Sequence, residues 1–197
     1  MFRRIAIIMI VIAAMAVTVN AQKWEFDKAH STIGFSVRHM VISKTTGRFE
    51  DYSGNVFFDG KNFVKGKVEI TIQMASINTE NQKRDDHLRS ADFFNAEKFP
   101  IMTFISKKVI SEGDDNFKII GDLTIKDVTK EVVLDVEFHG AVTDPWGNTK
   151  AGFTAHTTIN RQDFHVAWDN KLKDGSLIVG NDVGISLEIE LAEAAEE

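Results

Sequence analysis

Apolar and polar residues alternate with a period of two along most of this chain. Val68, Ile70, Ile72 and Met74 alternate with Lys67, Glu69, Thr71 and Gln73. Val132, Leu134, Val136 and Phe138 alternate with Val133, Asp135, Glu137 and His139, and Val183, Ile185, Leu187 and Ile189 with Gly184, Ser186, Glu188 and Glu190. Successive side chains on a strand point to opposite faces, so each run predicts a strand with one dry and one wet face. That is the pattern of an antiparallel sheet, because buried parallel strands are apolar on both faces. Weaker runs at 33–41, 55–59, 101–106, 117–126 and 152–160 bring the count to eight strands. Gly and Asp mark turns at Phe58-Asp59-Gly60, Glu112-Gly113-Asp114-Asp115-Asn116 and Thr143-Asp144-Pro145-Trp146-Gly147-Asn148. One stretch breaks the rhythm. Asn78 or Thr79 can cap a short helix that starts at Glu80 and carries Asp85, Asp86, Leu88 and Arg89, with Asp85 and Arg89 spaced for an ion pair.

Eight antiparallel strands and one or two short helices must hide their sheet edges. A closed barrel does so outright, with an interior that is filled or holds one small ligand. A two-sheet sandwich has the same periodicity and stays open as an alternative. No linker or internal repeat divides the chain, so residues 22–197 form one domain. Ahead of them, Met1-Phe2-Arg3-Arg4, an apolar run from Ile5 to Val19 and the small-residue end Val19-Asn20-Ala21 follow the plan of a secretory signal peptide. The expectation is cleavage after residue 21, no stable membrane insertion afterwards, and a periplasmic or secreted domain.

Composition sharpens this. The 197 residues carry a formal charge of -6, and loss of Arg3 and Arg4 with the leader takes it to -8. An acidic surface argues against nucleic acid, whose phosphates demand basic stripes. With no cysteine, disulfides and thiolate metal sites are excluded. Fifteen phenylalanines against one tyrosine indicate a deep apolar interior without polar tips to satisfy. Candidate chemistry is sparse. His30, His39, His87, His139, His156 and His165 are scattered, with no short-spaced ligand pair, so no metal site is expected. No serine sits in a Gly-x-Ser-x-Gly elbow and no glycine-rich loop precedes a helix, so neither a nucleophile nor a nucleotide cradle is expected. Neither a catalytic group nor a cofactor is called for.

Some polar residues stand at the ends of apolar strands. Arg38 and His39 close one, Arg84, His87 and Arg89 share the helical stretch, and Arg161 and Asp163 flank the turn into Phe164. The local reading is capping, turn bonds and an Arg161–Asp163 pair. The functional reading is a polar mouth above an apolar cavity.

Four stretches stand out in order along the chain: Trp24 to His39 (WEFDKAHSTIGFSVRH), Arg84 to Asn95 (RDDHLRSADFFN) leading to Phe99-Pro100, Gly121 to Lys130 (GDLTIKDVTK), and Arg161-Gln162-Asp163-Phe164 with Val179-Gly180-Asn181-Asp182-Val183. Together they resemble the YceI-like family, periplasmic proteins that bind polyisoprenoid lipids in a lipocalin-like barrel. Two positions depart from the family pattern: Asp127 and His165 stand where the family often has glycine. The resemblance implies an all-β fold, an eight-stranded antiparallel barrel whose bore accepts a prenyl chain. The lining it implies is Ile33, Phe35, Val37, Val68, Ile70, Ile72, Leu123, Ile125, Leu134, Val136, Phe138, Phe153, Val183 and Ile185, with Arg38, His39, Arg89 and Arg161 toward the head group. The expected partner is a polyisoprenoid or another long-chain amphiphilic lipid, bound, transported or sequestered without catalysis. Two other readings stay open: an enzyme acting on a bound prenyl or quinone lipid, and an interaction module with a filled core. A homodimer is compatible with the sequence, though no stripe of residues predicts one.

Overall fold

The computed structural model describes residues 21–194; apart from Ala21, the expected leader lies outside the described residues. The strands are β1 (Gln22–Phe26), β2 (Thr32–His39), β3 (Ser43–Phe49), β4 (Tyr52–Phe58), β5 (Lys67–Gln73) and β6 (Ile77–Asn78). The helix α1 (Gln82–Arg89) follows, then β7 (Ile101–Gly113), β8 (Asn116–Ile125), β9 (Val128–Thr143), β10 (Thr149–Asn160) and β11 (Val179–Glu193). Single 3₁₀ turns lie at Phe63–Lys65, Met74–Ser76 and Arg161–Phe164. Among the described residues no helix is long and apolar enough to cross a membrane.

All pairings are antiparallel. The order β1-β4-β5-β7-β8-β9-β10-β11 returns to β1 and closes an eight-stranded barrel, so the sandwich alternative falls. One edge of the fifteen-residue β11 pairs with β10 and the other is shared by two strands: its late residues Leu191–Glu193 pair with β1, and Val179–Glu188 pair with β2. Strands β2, β3 and β6 thereby extend the wall at one end. The alternation read from the sequence is the burial pattern observed. Phe117, Ile119, Gly121, Leu123 and Ile125 of β8 are buried, and the residues between them face outward. Turn chemistry holds as expected at 59–62, where the Asp59 carboxylate accepts from the amides of Lys61 and Asn62, and at 144–148, where Asp144 accepts from Trp146 and Asn148.

One end of the bore is filled. Phe58 stacks on Trp24 at 4.7 Å between ring centroids and meets Phe63, Phe138 and Phe153 at 5.3, 5.9 and 5.5 Å. Phe63 comes from the 3₁₀ turn between β4 and β5, which drops its ring into the barrel end, and Phe138 stacks on Phe153 at 4.8 Å. Offset and edge-on ring pairs add to the area they bury, so this end is a plug. Beside it, Lys150 on β10 reaches Asp27 at 2.7 Å and Glu190 at 3.5 Å. The Lys150 hydrogen bond holds the Asp27 carboxyl well below the usual range, at about 2.

Candidate functional site

The opposite end is covered by α1 and the loop behind it. Glu80 has a left-handed backbone (φ 61°), which excludes it from a helix, so α1 starts at Gln82 rather than at Glu80. Asn81 is the cap, its side chain accepting from the Arg84 amide at 3.1 Å, in place of the expected Asn78 or Thr79. Asp85 does not pair with Arg89. It is buried and accepts from the Thr79 amide at 2.9 Å and the Thr79 hydroxyl, and Arg84 donates to the Thr79 hydroxyl and carbonyl oxygens. A carboxylate in the first turn also sits well against the positive end of the helix dipole. Arg89 pairs with Asp86 and donates to the carbonyls of Ala75 and Ile77, which fastens α1 to the wall. Backbone bonds from Phe94, Asn95 and Ala96 to Leu88, Ser90 and Arg89 then fold the chain back. Lys126 ties down the cover by donating to the carbonyls of Phe93 and His165. Phe93 stacks on Trp168 at 5.4 Å, and His87 meets both rings edge-on.

Beneath this cover lies an apolar cavity of about 90 Å³. Leu88, Phe93 and Phe94 form its roof, Phe35 and Val37 of β2 and Val179, Val183 and Ile185 of β11 one wall, and Phe49, Met102, Ile125, Ile159, Arg161 and Val166 the rest. A second apolar space of about 70 Å³ follows along the bore, and a third of about 50 Å³ borders the aromatic plug. Phe35, Phe49, Met102 and Ile185 line both the first and the second space; Ile70, Leu134 and Leu187 line both the second and the third. The bore is therefore a row of three spaces with side-chain partitions. Gly47 makes the first partition: a Cβ there would lie 2.4 Å from the Phe35 ring, so only glycine lets that ring fold across β3.

Among the described residues Arg161 is the one charged residue in the wall, and it is 5 % exposed. Its guanidinium donates to the carbonyls of Gly180, Val166 and Val179 and to the Asn181 side chain, at 2.6 to 3.2 Å. Burial pushes its pKa down, yet guanidinium stays protonated, so carbonyl dipoles neutralise the charge. The expected Arg161–Asp163 pair does not form; Asp163 meets Lys130 instead. With its donors committed to the backbone, Arg161 knots the Arg161–Phe164 turn to the start of β11 and shows the cavity mainly its hydrocarbon stem.

The sequence-predicted residues distribute as follows. Phe35, Val37, Ile125, Val183 and Ile185 line the first space, and Ile33, Ile70, Ile72, Leu123 and Leu134 the second. Val68, Val136 and Phe153 border the third, and Phe138 belongs to the plug. Arg38 is exposed on β2, His39 is half-buried at its end, and Arg89 is held by α1 contacts. Sequence reasoning missed the roof residues Leu88, Phe93 and Phe94, although three apolar side chains in an otherwise charged stretch were the available signal. It also missed that Asp127 and His165 meet, at 3.1 Å, with His165 in a left-handed backbone (φ 56°). These two departures from the family pattern are one contact. Among the described residues Asp27, His30 and Glu190 gather ligand atoms within 4.8 Å, a single histidine with two carboxylates whose countercharge the Lys150 ammonium already supplies.

A profile of the YceI-like domain matches residues 24–191. A UPF0312 protein of Pectobacterium atrosepticum is 43% identical over 158 residues, covering 79% of this chain and 82% of that one. The crystal structure of BcnA from Burkholderia cenocepacia matches with a TM-score of 0.73 at 27% identity, over 84% of this chain and 98% of that one. A polyisoprenoid binding domain from Saccharophagus degradans shares the fold at 14% identity, with a TM-score of 0.66 over 87% of this chain and 98% of that one.

Proposed function

The chain belongs to the YceI-like family, and on that premise we propose that it binds and carries or sequesters a polyisoprenoid or similar long-chain lipid without transforming it. The observation that carries this reading is the cavity beneath α1, which presents no polar atom to its interior. Such a space discriminates by hydrocarbon content. Each buried methylene is worth about 0.8 kcal/mol, so one five-carbon prenyl unit outweighs a neutral hydrogen bond of about 1 kcal/mol several-fold. The chain therefore enters first and the head group stays at the mouth, near the ends of β2 and β11. Longer chains reach the second and third spaces as Phe35 and Ile70 change rotamer.

We propose a periplasmic setting for it as well, since the basic start, apolar run and small-residue end of residues 1–21 fit a secretory leader. Among the described residues no nucleophile or general base lines this cavity, which supports binding over turnover. The test is to purify the protein without detergent, extract it with organic solvent and identify the extract by mass spectrometry. A prenyl lipid at near-equimolar amount, recovered unchanged after long incubation, is expected. Protein that carries no lipid and takes up no prenyl alcohol on titration contradicts the proposal, and a changed lipid contradicts its non-enzymatic part.

A further inference from the structure

The turn joining β2 to β3 is Met40-Val41-Ile42, and it does what hairpin turns avoid. These three consecutive apolar residues are 37%, 61% and 82% exposed at the tip of a hairpin. Met40 and Val41 both hold left-handed backbone, with φ of 50° and 64°. Asn, Asp and Gly suit that region, and a β-branched residue there is an outlier. A polar turn would satisfy the geometry better, so neither folding nor solubility explains the choice.

Position and charge name the occupant. The hairpin stands at the cavity end: Val37, in the cavity wall, precedes Met40 by about 10 Å of strand at roughly 3.3 Å per residue. Arg38 and Lys44 are register partners at its base, both exposed, and neither lies within ion-pair distance of a carboxylate among the described residues. The Met40 amide donates to the Ile178 carbonyl, which brings alongside the 170–178 loop with Lys171 and Lys173, also exposed. Asp169, Asp174 and Asp182 lie on the neighbouring segment, and Asp174 accepts from the Ser176 amide. Around the tip itself Arg38, Lys44, Lys171 and Lys173 outnumber these three carboxylates, on a chain where acids exceed bases 29 to 23. We propose that the Met40–Ile42 tip inserts into the interface of a bilayer containing anionic phospholipid, with Arg38 and Lys44 on the head groups, and so sets the mouth of the cavity against the membrane. Apolar side chains flanked by cations match the two halves of such an interface. The inference stands on exposure and charge and extends the cavity reading by naming the surface from which lipid is taken or to which it is given.

Vesicle sedimentation tests it, with wild type and variants in the same full-length background so that residues outside the hairpin contribute equally. Wild type is expected to sediment with phosphatidylethanolamine–phosphatidylglycerol vesicles and several-fold less with phosphatidylcholine vesicles. The V41N/I42S variant, whose Asn tolerates the left-handed backbone, is expected to partition at least about tenfold less while melting no lower than wild type. R38Q/K44Q is expected to lose the preference for the anionic vesicles. Wild type that ignores vesicles, or V41N/I42S that binds as well as wild type, overturns the proposal. So does a loss of binding in W146S alone, because Trp146 is 84% exposed on the β9–β10 turn at the plugged end. Uptake of a short prenyl alcohol from solution by V41N/I42S separates the two readings: retained uptake with absent docking of wild type sinks only the hairpin.

Discussion

At one end of the barrel Phe58 is ringed by Trp24, Phe63, Phe138 and Phe153; at the other, Phe35, Phe93 and Phe94 stand around a cavity of about 90 Å³. Both ends use phenylalanine. They differ in what surrounds it. At the plugged end the rings come from strands that face one another, and the 3₁₀ turn at Phe63–Lys65 adds one more ring to the centre. At the mouth end β2 and β11 offer the short side chains Val37, Val179 and Val183 along one wall, Phe35 and Phe49 stand deeper on β2 and β3, and the other aromatic residues, Phe93 and Phe94, sit on a separate cover. Residue size at the strand ends, more than aromatic content, decides which end closes.

The comparison breaks most visibly at the plug. Phe58→Ala is expected to cost about 3–5 kcal/mol of unfolding free energy in a urea titration, since the neighbouring rings cannot collapse into the gap. Prenyl uptake by the protein that remains folded is expected to hold. At the mouth end the opposite outcome is expected. Val183→Phe puts a ring into the first space, leaves stability within about 1 kcal/mol and weakens prenyl binding at least about tenfold, read by displacement of an apolar fluorophore. Equal effects of the two substitutions on stability and uptake would erase the distinction drawn between the ends.

The smallest effect concerns the lock beside the plug. Asp27 is depressed to about 2 in the folded protein by its hydrogen bond to Lys150, against 3.8 for a free carboxyl. A depressed carboxylate stabilises above its unfolded value, so this contribution is present above pH 4 and is lost as pH falls toward 2. It amounts to about 1–2 kcal/mol for a partly solvated pair, so Asp27→Asn should lose that much at neutral pH and show a flatter acid limb between pH 4 and 2. An unchanged acid limb would mean that Lys150 adds nothing.

The barrel was legible because alternation is local: β5, β8, β9 and β11 each declare their dry face within a few residues. Strands β1 and β3 were not. Five residues of QKWEF and the polar SKTTGRF carry little alternation, yet β1 closes the ring through Trp24, which pairs with Glu193 on β11 and Val56 on β4. The sequence also held the list of inward residues but not their grouping, because whether Phe138 fills a plug or Phe35 borders a space depends on what faces it from strands distant in the chain. Arg161 shows the same limit. Its neighbours in sequence suggested a pair with Asp163, whereas its partners are carbonyls up to nineteen residues away, on Val179 and Gly180. The helix boundary failed for a backbone reason, the left-handed Glu80, which no side-chain pattern marks.

The account rests on hydrocarbon entering the end beneath α1 while the aromatic end stays shut. Methyl NMR of the Ile, Leu and Val side chains during titration with a prenyl alcohol tests this directly. The largest shifts are expected at Leu88, Ile125, Ile159, Val183 and Ile185, with smaller ones spreading to Ile70 and Leu134 and last to Val56 in the third space as the lipid chain lengthens. Shifts that begin at Val56 and Val68, or that leave the mouth methyls unmoved while prenyl alcohol binds, would contradict it.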